Sequence, residues 1–141
     1  MFERILVATA FDDTSDAAAE MAMDLARLCE ANVALVHVIE SIGDEPDDTE
    51  LEEFYSGLRT RAEANMAALS KRFTEAGIRH TTQIRVGVRW ESLLAAADEV
   101  DASVIVLGSR PIVSQENPRL GTTSHQVFFA SRRPLLVARR A

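Results

Sequence analysis

Apolar residues along the chain follow two alternating rhythms. Ile5 to Thr9, Val33 to Val38, Gln83 to Val86, Val104 to Leu107 and Pro134 to Val137 are short runs that read as strands of a buried sheet. Between them apolar positions recur at spacings of three and four, which puts them on one face of a helix. Ala18, Met21, Ala22, Leu25 and Cys29 form the first such stripe. Leu51, Phe54, Leu58, Ala62, Met66, Leu69 and Phe73 form the longest, and Trp90, Leu93, Leu94 and Ala97 the third. Asp12, Asp13, Thr14 and Ser15 offer N-caps for the first helix and Asn32 breaks it. Ala76-Gly77 stops the second, and the third ends near Val100-Asp101. Strands that alternate with helices in this way predict an α/β fold with a doubly wound parallel sheet.

In such a sheet ligands bind beyond the C-terminal ends of the strands, where the strand order reverses. Ala10 to Thr14, Ile39 to Ser41, Gly87 to Trp90 and Gly108 to Gly121 are the segments expected there. The last of them carries the strongest chemical signal. After Val104 to Leu107 comes Gly108, then a polar loop, then Gly121, Thr122, Thr123 and Ser124 at the start of a fourth helix. Free N–H groups at a helix start, close backbone approach at glycine and nearby hydroxyls together suit a phosphate. Thr123 with Gln126 also fits a capping box, which would use some of those donors internally. Arg85, Arg89, Arg110 and Arg119 lie in or near these loops; taken singly, each reads as a solvated arginine.

Composition narrows the classes. With 141 residues and 47% hydrophobic content, residues 1–141 make a single domain with an ordinary core. A formal net charge of -7 argues against a nucleic-acid partner, which calls for a basic face. No run approaches the roughly 18 apolar residues of a spanning helix, and the start lacks a signal peptide's basic segment, so neither a membrane nor export is expected. The single cysteine, Cys29, forms no intramolecular disulfide and reads as a small core residue. A cytoplasmic location follows as the expectation. Ser41 to Glu53 holds seven acids, Asp44, Glu45, Asp47, Asp48, Glu50, Glu52 and Glu53, without calcium-loop spacing, and reads as a solvated loop running into a helix.

Several chemistries are absent. The only lysine, Lys71, lies in the long helix, so there is no Walker loop, and the last strand ends in Ala138-Arg139-Arg140 rather than in a receiver domain's lysine. ATAFDD after the first strand is not a dinucleotide fingerprint, and no serine elbow or cysteine and histidine pair supplies a nucleophile. Catalysis is not supported. His37, in a strand with Val33 and Leu35, reads as a hydrogen-bonded core histidine, and Trp90 as a packing anchor.

Gly108 followed by Gly121-Thr122 resembles the nucleotide loop of the universal stress protein family, G-x-x-G, nine residues, G-[S/T]. Ile112 to Leu120 supply the nine residues. ILVATA, LVHV, VIVLGS and PLLVA stand in the family's order, so the resemblance covers nearly the whole chain. It implies a Rossmann-like, five-stranded parallel sheet of order 3-2-1-4-5 with four helices, two on each face, and a stress-linked regulatory role. It also places an adenine nucleotide among Ala10, Val38, Gly87, Gly108, Arg110, Pro111, Gly121, Thr122 and Thr123. Two positions depart from the family. Pro111 replaces a glycine and brings neither an N–H nor a wide φ range. Ala10 stands where the family has an acid, which Asp12 or Asp13 would have to replace. The expectation is therefore ATP or AMP held weakly, or no nucleotide; a functional ATP or AMP site is the alternative. Leu135, Leu136, Val137 and Ala138 form an edge strand without charged residues, which predicts a homodimer through that edge and, for a degenerate pocket, action on an unknown protein partner.

Overall fold

A computed structural model of the chain describes residues 1–41, 49–109 and 122–139. Its elements in order are β1 (Arg4–Ala8), α1 (Asp13–Cys29), β2 (Asn32–Glu40), α2 (Thr49–Glu75), β3 (His80–Gly87), α3 (Arg89–Val100), β4 (Val104–Gly108), α4 (Thr122–Ala130) and β5 (Leu135–Ala138). The strands form one parallel sheet in the order β3-β2-β1-β4-β5. The expected architecture is thus present.

Side-chain alternation along the central strands builds two cores. Ile5 and Val7 of β1, Val33 and Leu35 of β2, and Val104 and Val106 of β4 face α1 and α2, where they meet Ala18, Ala22, Ala26, Met66, Leu69 and Phe73. Leu6, Ala34, Val36, Val38, Ile105 and Leu107 face the other way, onto Leu93, Ala96 and Ala97 of α3 and Val127 of α4. Runs apolar on both faces are what a strand covered by helices on both sides requires.

Local chemistry sets the ends of the elements. Asp12 is the N-cap of α1, its carboxylate accepting from the Ser15 N–H. The helix ends at Cys29, two residues before a break at Asn32 would have ended it. Glu30 takes the left-handed conformation (φ 52°, ψ 43°) and Asn32 opens β2. Met21, expected on the buried stripe, is exposed because the buried face of α1 runs through Ala17, Ala18, Ala22, Met23 and Ala26. Leu25 and Cys29 pack at its margin. In α2 only the second half is buried, through Ala62, Met66, Leu69 and Phe73, while Phe54 near its start is exposed. β3 starts earlier than its apolar run, at His80, because eight residues from His80 to Gly87 pair with Val33 to Glu40 whatever their polarity.

At the pole where the strands begin, Asp101 ties distant parts of the chain together. Its Oδ2 accepts from Arg4 Nη2 at 3.0 Å and its Oδ1 from Arg133 Nη1 at 3.2 Å, while its carbonyl oxygen accepts from Arg4 Nε at 2.8 Å. Arg133 also donates to Asp98 and to the Ala102 carbonyl.

Candidate functional site

The chain crosses from one half of the sheet to the other between β1 and β4, so the crevice expected for a ligand lies above the end of β1. Backbone alternation defines its walls. The Val36 carbonyl accepts from the Thr9 N–H at 2.9 Å, so the even-numbered groups of β2 face β1. Val38, two residues on, therefore aims its own N–H and C=O past the point where β1 ends. On the opposite side Ser109 N donates to the Ala138 carbonyl, which turns the odd-numbered groups of β4 toward β5 and those of Gly108 toward the tip of β1. Val38 and Gly108 thus bracket one gap.

The floor of the gap is the turn from Thr9 to Ser15. The Ala10 N–H donates to Ser15 Oγ at 2.7 Å. That hydroxyl donates in turn to Asp12 Oδ1 at 2.8 Å, and the same oxygen accepts from the Ser15 N–H at 2.9 Å. Phe11 sits at φ 59°, a left-handed conformation disfavoured for an aromatic residue and held only where the surroundings impose it. Here Phe11 N donates to Thr9 Oγ1 at 3.1 Å, and its ring lies 4.6 Å from that of His37. His37 Nδ1 lies 2.7 Å from the Thr9 carbonyl, which can only accept, so Nδ1 carries the proton. His37 is the hydrogen-bonded structural histidine expected, and it fixes the end of β1.

Gly108 has a second reason to be glycine. A Cβ there would come within 2.5 Å of the Thr14 carbonyl carbon and 3.2 Å of Ser15 N, and closer still to the Thr14 oxygen. The first turn of α1 lies directly on it. That contact exists without any ligand. At Gly87 a Cβ would meet Ser92 Oγ at 2.7 Å, a hydroxyl that can turn aside.

The structure therefore gathers Ala10, Asp12, Asp13, Val38 and Gly108 around the tip of β1. Arg110, Pro111 and Gly121 lie outside the described residues, as do Arg119 and most of the acidic segment, residues 42–48. α4 begins at Thr122, so Thr123 is already inside the helix and is not its cap. The capping-box pairing of Thr123 with Gln126 is corrected accordingly, since the cap position precedes Thr122. Of the nearby arginines, Arg85 is engaged with Glu99 at 2.7 and 3.2 Å and Arg89 pairs with Glu40 at 3.8 Å. The hydrogen bond from Arg85, with its charge, holds the Glu99 carboxyl below the usual carboxylate range. Trp90 packs against the α3 and α4 core, as an anchor would.

The helix starts differ in charge. Asp13 and Asp16 occupy the first turn of α1, Glu50 and Glu52 that of α2, and Glu91 that of α3. The first turn of α4 carries no carboxylate. An anion near the crevice is thus disfavoured at α1 and tolerated at α4. A separate groove of about 450 Å³, lined by Leu94, Ala97, Asp98 and Ala130 to Arg133, lies at the opposite pole of the sheet. No group of three or more metal-ligating side chains occurs among the described residues, and none of the described helices is long and apolar enough to cross a membrane.

Known proteins share the fold. The chain is 24% identical to universal stress protein MJ0577 of Methanocaldococcus jannaschii over 99% of its own length and 96% of the relative's. It is 28% identical to universal stress protein YxiE of Bacillus subtilis over 99% and 100%. The solved structure of MJ0577 superposes with a TM-score of 0.83, covering 100% of this chain and 98% of that one. A universal stress protein from Archaeoglobus fulgidus in complex with dAMP superposes at 0.71, with 20% identity and coverage of 98% and 99%. Another, in complex with cAMP, superposes at 0.74, with 18% identity and coverage of 99% and 98%. A profile of the universal stress protein family matches residues 1–139, and the chain belongs to that family.

Proposed function

We propose that this chain is a cytoplasmic stress-response regulatory domain that works as a homodimer through β5 and binds adenine nucleotide weakly or not at all. The observation that carries this reading is the tip of β1. Ala10 has no acceptor in its side chain, and its N–H is already bonded to Ser15 Oγ. Asp12, the nearest replacement, gives its Oδ1 to two donors of Ser15. The carboxylate that would compensate for Ala10 is therefore occupied in capping α1, and releasing it would cost the helix about 1 kcal/mol. With its pocket reduced in this way, the dimer would act by engaging another protein.

A second reading, a functional ATP or AMP site, is favoured by the backbone groups of Val38 and Gly108 and by the acid-free start of α4. Relatives solved with cAMP and with dAMP support the same class of ligand. Chromatography of whatever denatured protein releases, followed by calorimetric titration with ATP and AMP, separates the two. Empty protein with a dissociation constant weaker than about 1 mM, or roughly -4 kcal/mol, fits the reduced pocket. A stoichiometric bound nucleotide refutes it. Ala10→Asp should then strengthen binding in the reduced pocket and change little in an intact one.

A further inference from the structure

One hydroxyl of α2 is bonded unlike its neighbours. Thr60 and Thr74 turn back onto the helix and donate to the Ser56 and Ser70 carbonyls, one turn earlier, at 2.9 and 3.1 Å. Ser70, on the same helix, instead places its Oγ 2.7 Å from His80 Nε2. His80 opens β3, so the pair stands at the pole where the strands begin, away from the crevice above β1. Both residues are half-buried and open to solvent on one side.

The other ring nitrogen places the proton. His80 Nδ1 lies 2.9 Å from the Ile78 carbonyl oxygen, which only accepts, so in the neutral imidazole Nδ1 carries the hydrogen and Nε2 keeps a lone pair. The Ser70 hydroxyl therefore donates to Nε2. The fully buried Phe73 packs on the same imidazole, with ring centroids 5.6 Å apart. A hydroxyl bonded to a bare imidazole nitrogen, whose far N–H is oriented by a third group, is the arrangement that activates a serine as a nucleophile. Sequence spacing does not reveal it, because the two residues lie 10 positions apart on different elements and meet only where β3 returns beside α2.

We propose that Ser70 and His80 form an acyl-acceptor site, with Ser70 as nucleophile, His80 as base and an activated ester as the donor. Ser70 Oγ attacks the acyl carbon while its proton passes to His80 Nε2. The bond from that carbon to the leaving oxygen breaks, the electron pair departs with the oxygen, and Nε2 returns the proton to it. The products are an O-acyl serine and a free alcohol. A phosphoryl donor fits less well, since its charge calls for cations. The two that follow Ser70 on α2 are engaged, Lys71 with Glu75 at 3.9 Å and Arg72 with Asp16 at 3.2 Å. Neither the nucleotide crevice nor the β5 edge takes part.

The test treats the full chain with p-nitrophenyl acetate and follows p-nitrophenol release, intact mass and the acetylated position by peptide mapping, with circular dichroism as the control for folding. Hydroxylamine cleaves a serine ester and leaves the amides formed at Lys71 or the amino terminus. Wild type should show a burst that matches a single hydroxylamine-sensitive acetyl group per chain, at Ser70. Ser70→Ala should lose that ester and keep its fold, since alanine is the better helix former. His80→Gln retains an acceptor for the hydroxyl but supplies no base, and should slow acetylation of Ser70 about 100-fold. Acetyl groups confined to amines in the wild type, or Ser70 acetylated equally fast in His80→Gln, would overturn the site.

Discussion

Gly108 offers a sharp test because two explanations of it make different demands. If its place is set only by a ligand, Gly108→Ala should spare the fold; if set by packing, the fold should suffer without any ligand. The added methyl would lie 2.5 Å from the Thr14 carbonyl carbon and 3.2 Å from Ser15 N, both backbone atoms at the start of α1. Neither can rotate away as a side chain could. The Thr14 carbonyl oxygen is nearer still, so β4 and α1 would have to separate by about an ångström, in a region where β4 is buried against β1 and α1. Overpacking of this kind costs about 3 kcal/mol, the upper part of the usual range, because the obstacle is backbone. That corresponds to a melting temperature lower by roughly 10 °C for a domain of this size. Gly57 supplies the opposite sign within the same molecule. It lies inside α2 with nothing within 4 Å of its missing Cβ, so Gly57→Ala should stabilise by about 1 kcal/mol through helix propensity alone. Urea denaturation of nucleotide-free protein, followed by circular dichroism, reads both. A shift in midpoint at constant slope is the expected form for each. A Gly108→Ala protein within about 0.5 kcal/mol of wild type would refute the packing account, since ordinary surface changes fall in that range.

Other consequences are equally concrete. Asp12→Ala removes the cap of α1 and the acceptor of Ser15 Oγ, and should lower stability by about 1 kcal/mol in the same urea experiment. Because the folded pKa of Glu99 is depressed, its contribution is present above the unfolded carboxylate pKa and is lost as pH falls through the folded value; Arg85→Leu should flatten the acid limb of the stability profile there, and an unchanged limb would count against the pair. Gly121→Asp places a carboxylate before the acid-free start of α4 and should abolish any calorimetric signal for ATP or AMP without changing the fold.

The sequence was informative wherever side chains decide the structure. The apolar rhythm of β1, β2 and β4 announced strands covered on both faces, and the two cores sort these residues by alternation. Asp12 was among the expected caps, and His37 was readable as a bonded core histidine because a strand position beside Val33 and Leu35 leaves it little else. The early start of β3 was hidden, since backbone pairing with β2 is indifferent to the polarity of His80, Thr81 and Thr82. Met21 was misplaced for a different reason. Alanine fills so much of α1 that several three-and-four stripes fit the spacing, and only contact with the sheet selects one. At the site, Gly108 stood out as a glycine closing a strand, while Val38 and Ala10 were assigned only through the resemblance to the family. That Ser15 bonds both Ala10 and Asp12, and that Thr14 presses on Gly108, depends on the close approach of two elements that spacing does not encode.

The position of β1 in the middle of the sheet also sets a timetable for synthesis. A nascent chain that has reached only Gly87 can pair β1 with β2 and β2 with β3, but the β1 edge that β4 will cover stays open. Ile5, Leu6 and Val7 then offer an aggregation-prone edge to neighbouring chains until Val104 to Val106 emerge. Asp101, which grips Arg4 and Arg133 at the entrances to β1 and β5, precedes β4 by only a few residues and receives its last partner only once Arg133 has emerged. The central strand of this domain therefore waits for β4 before both of its edges are covered.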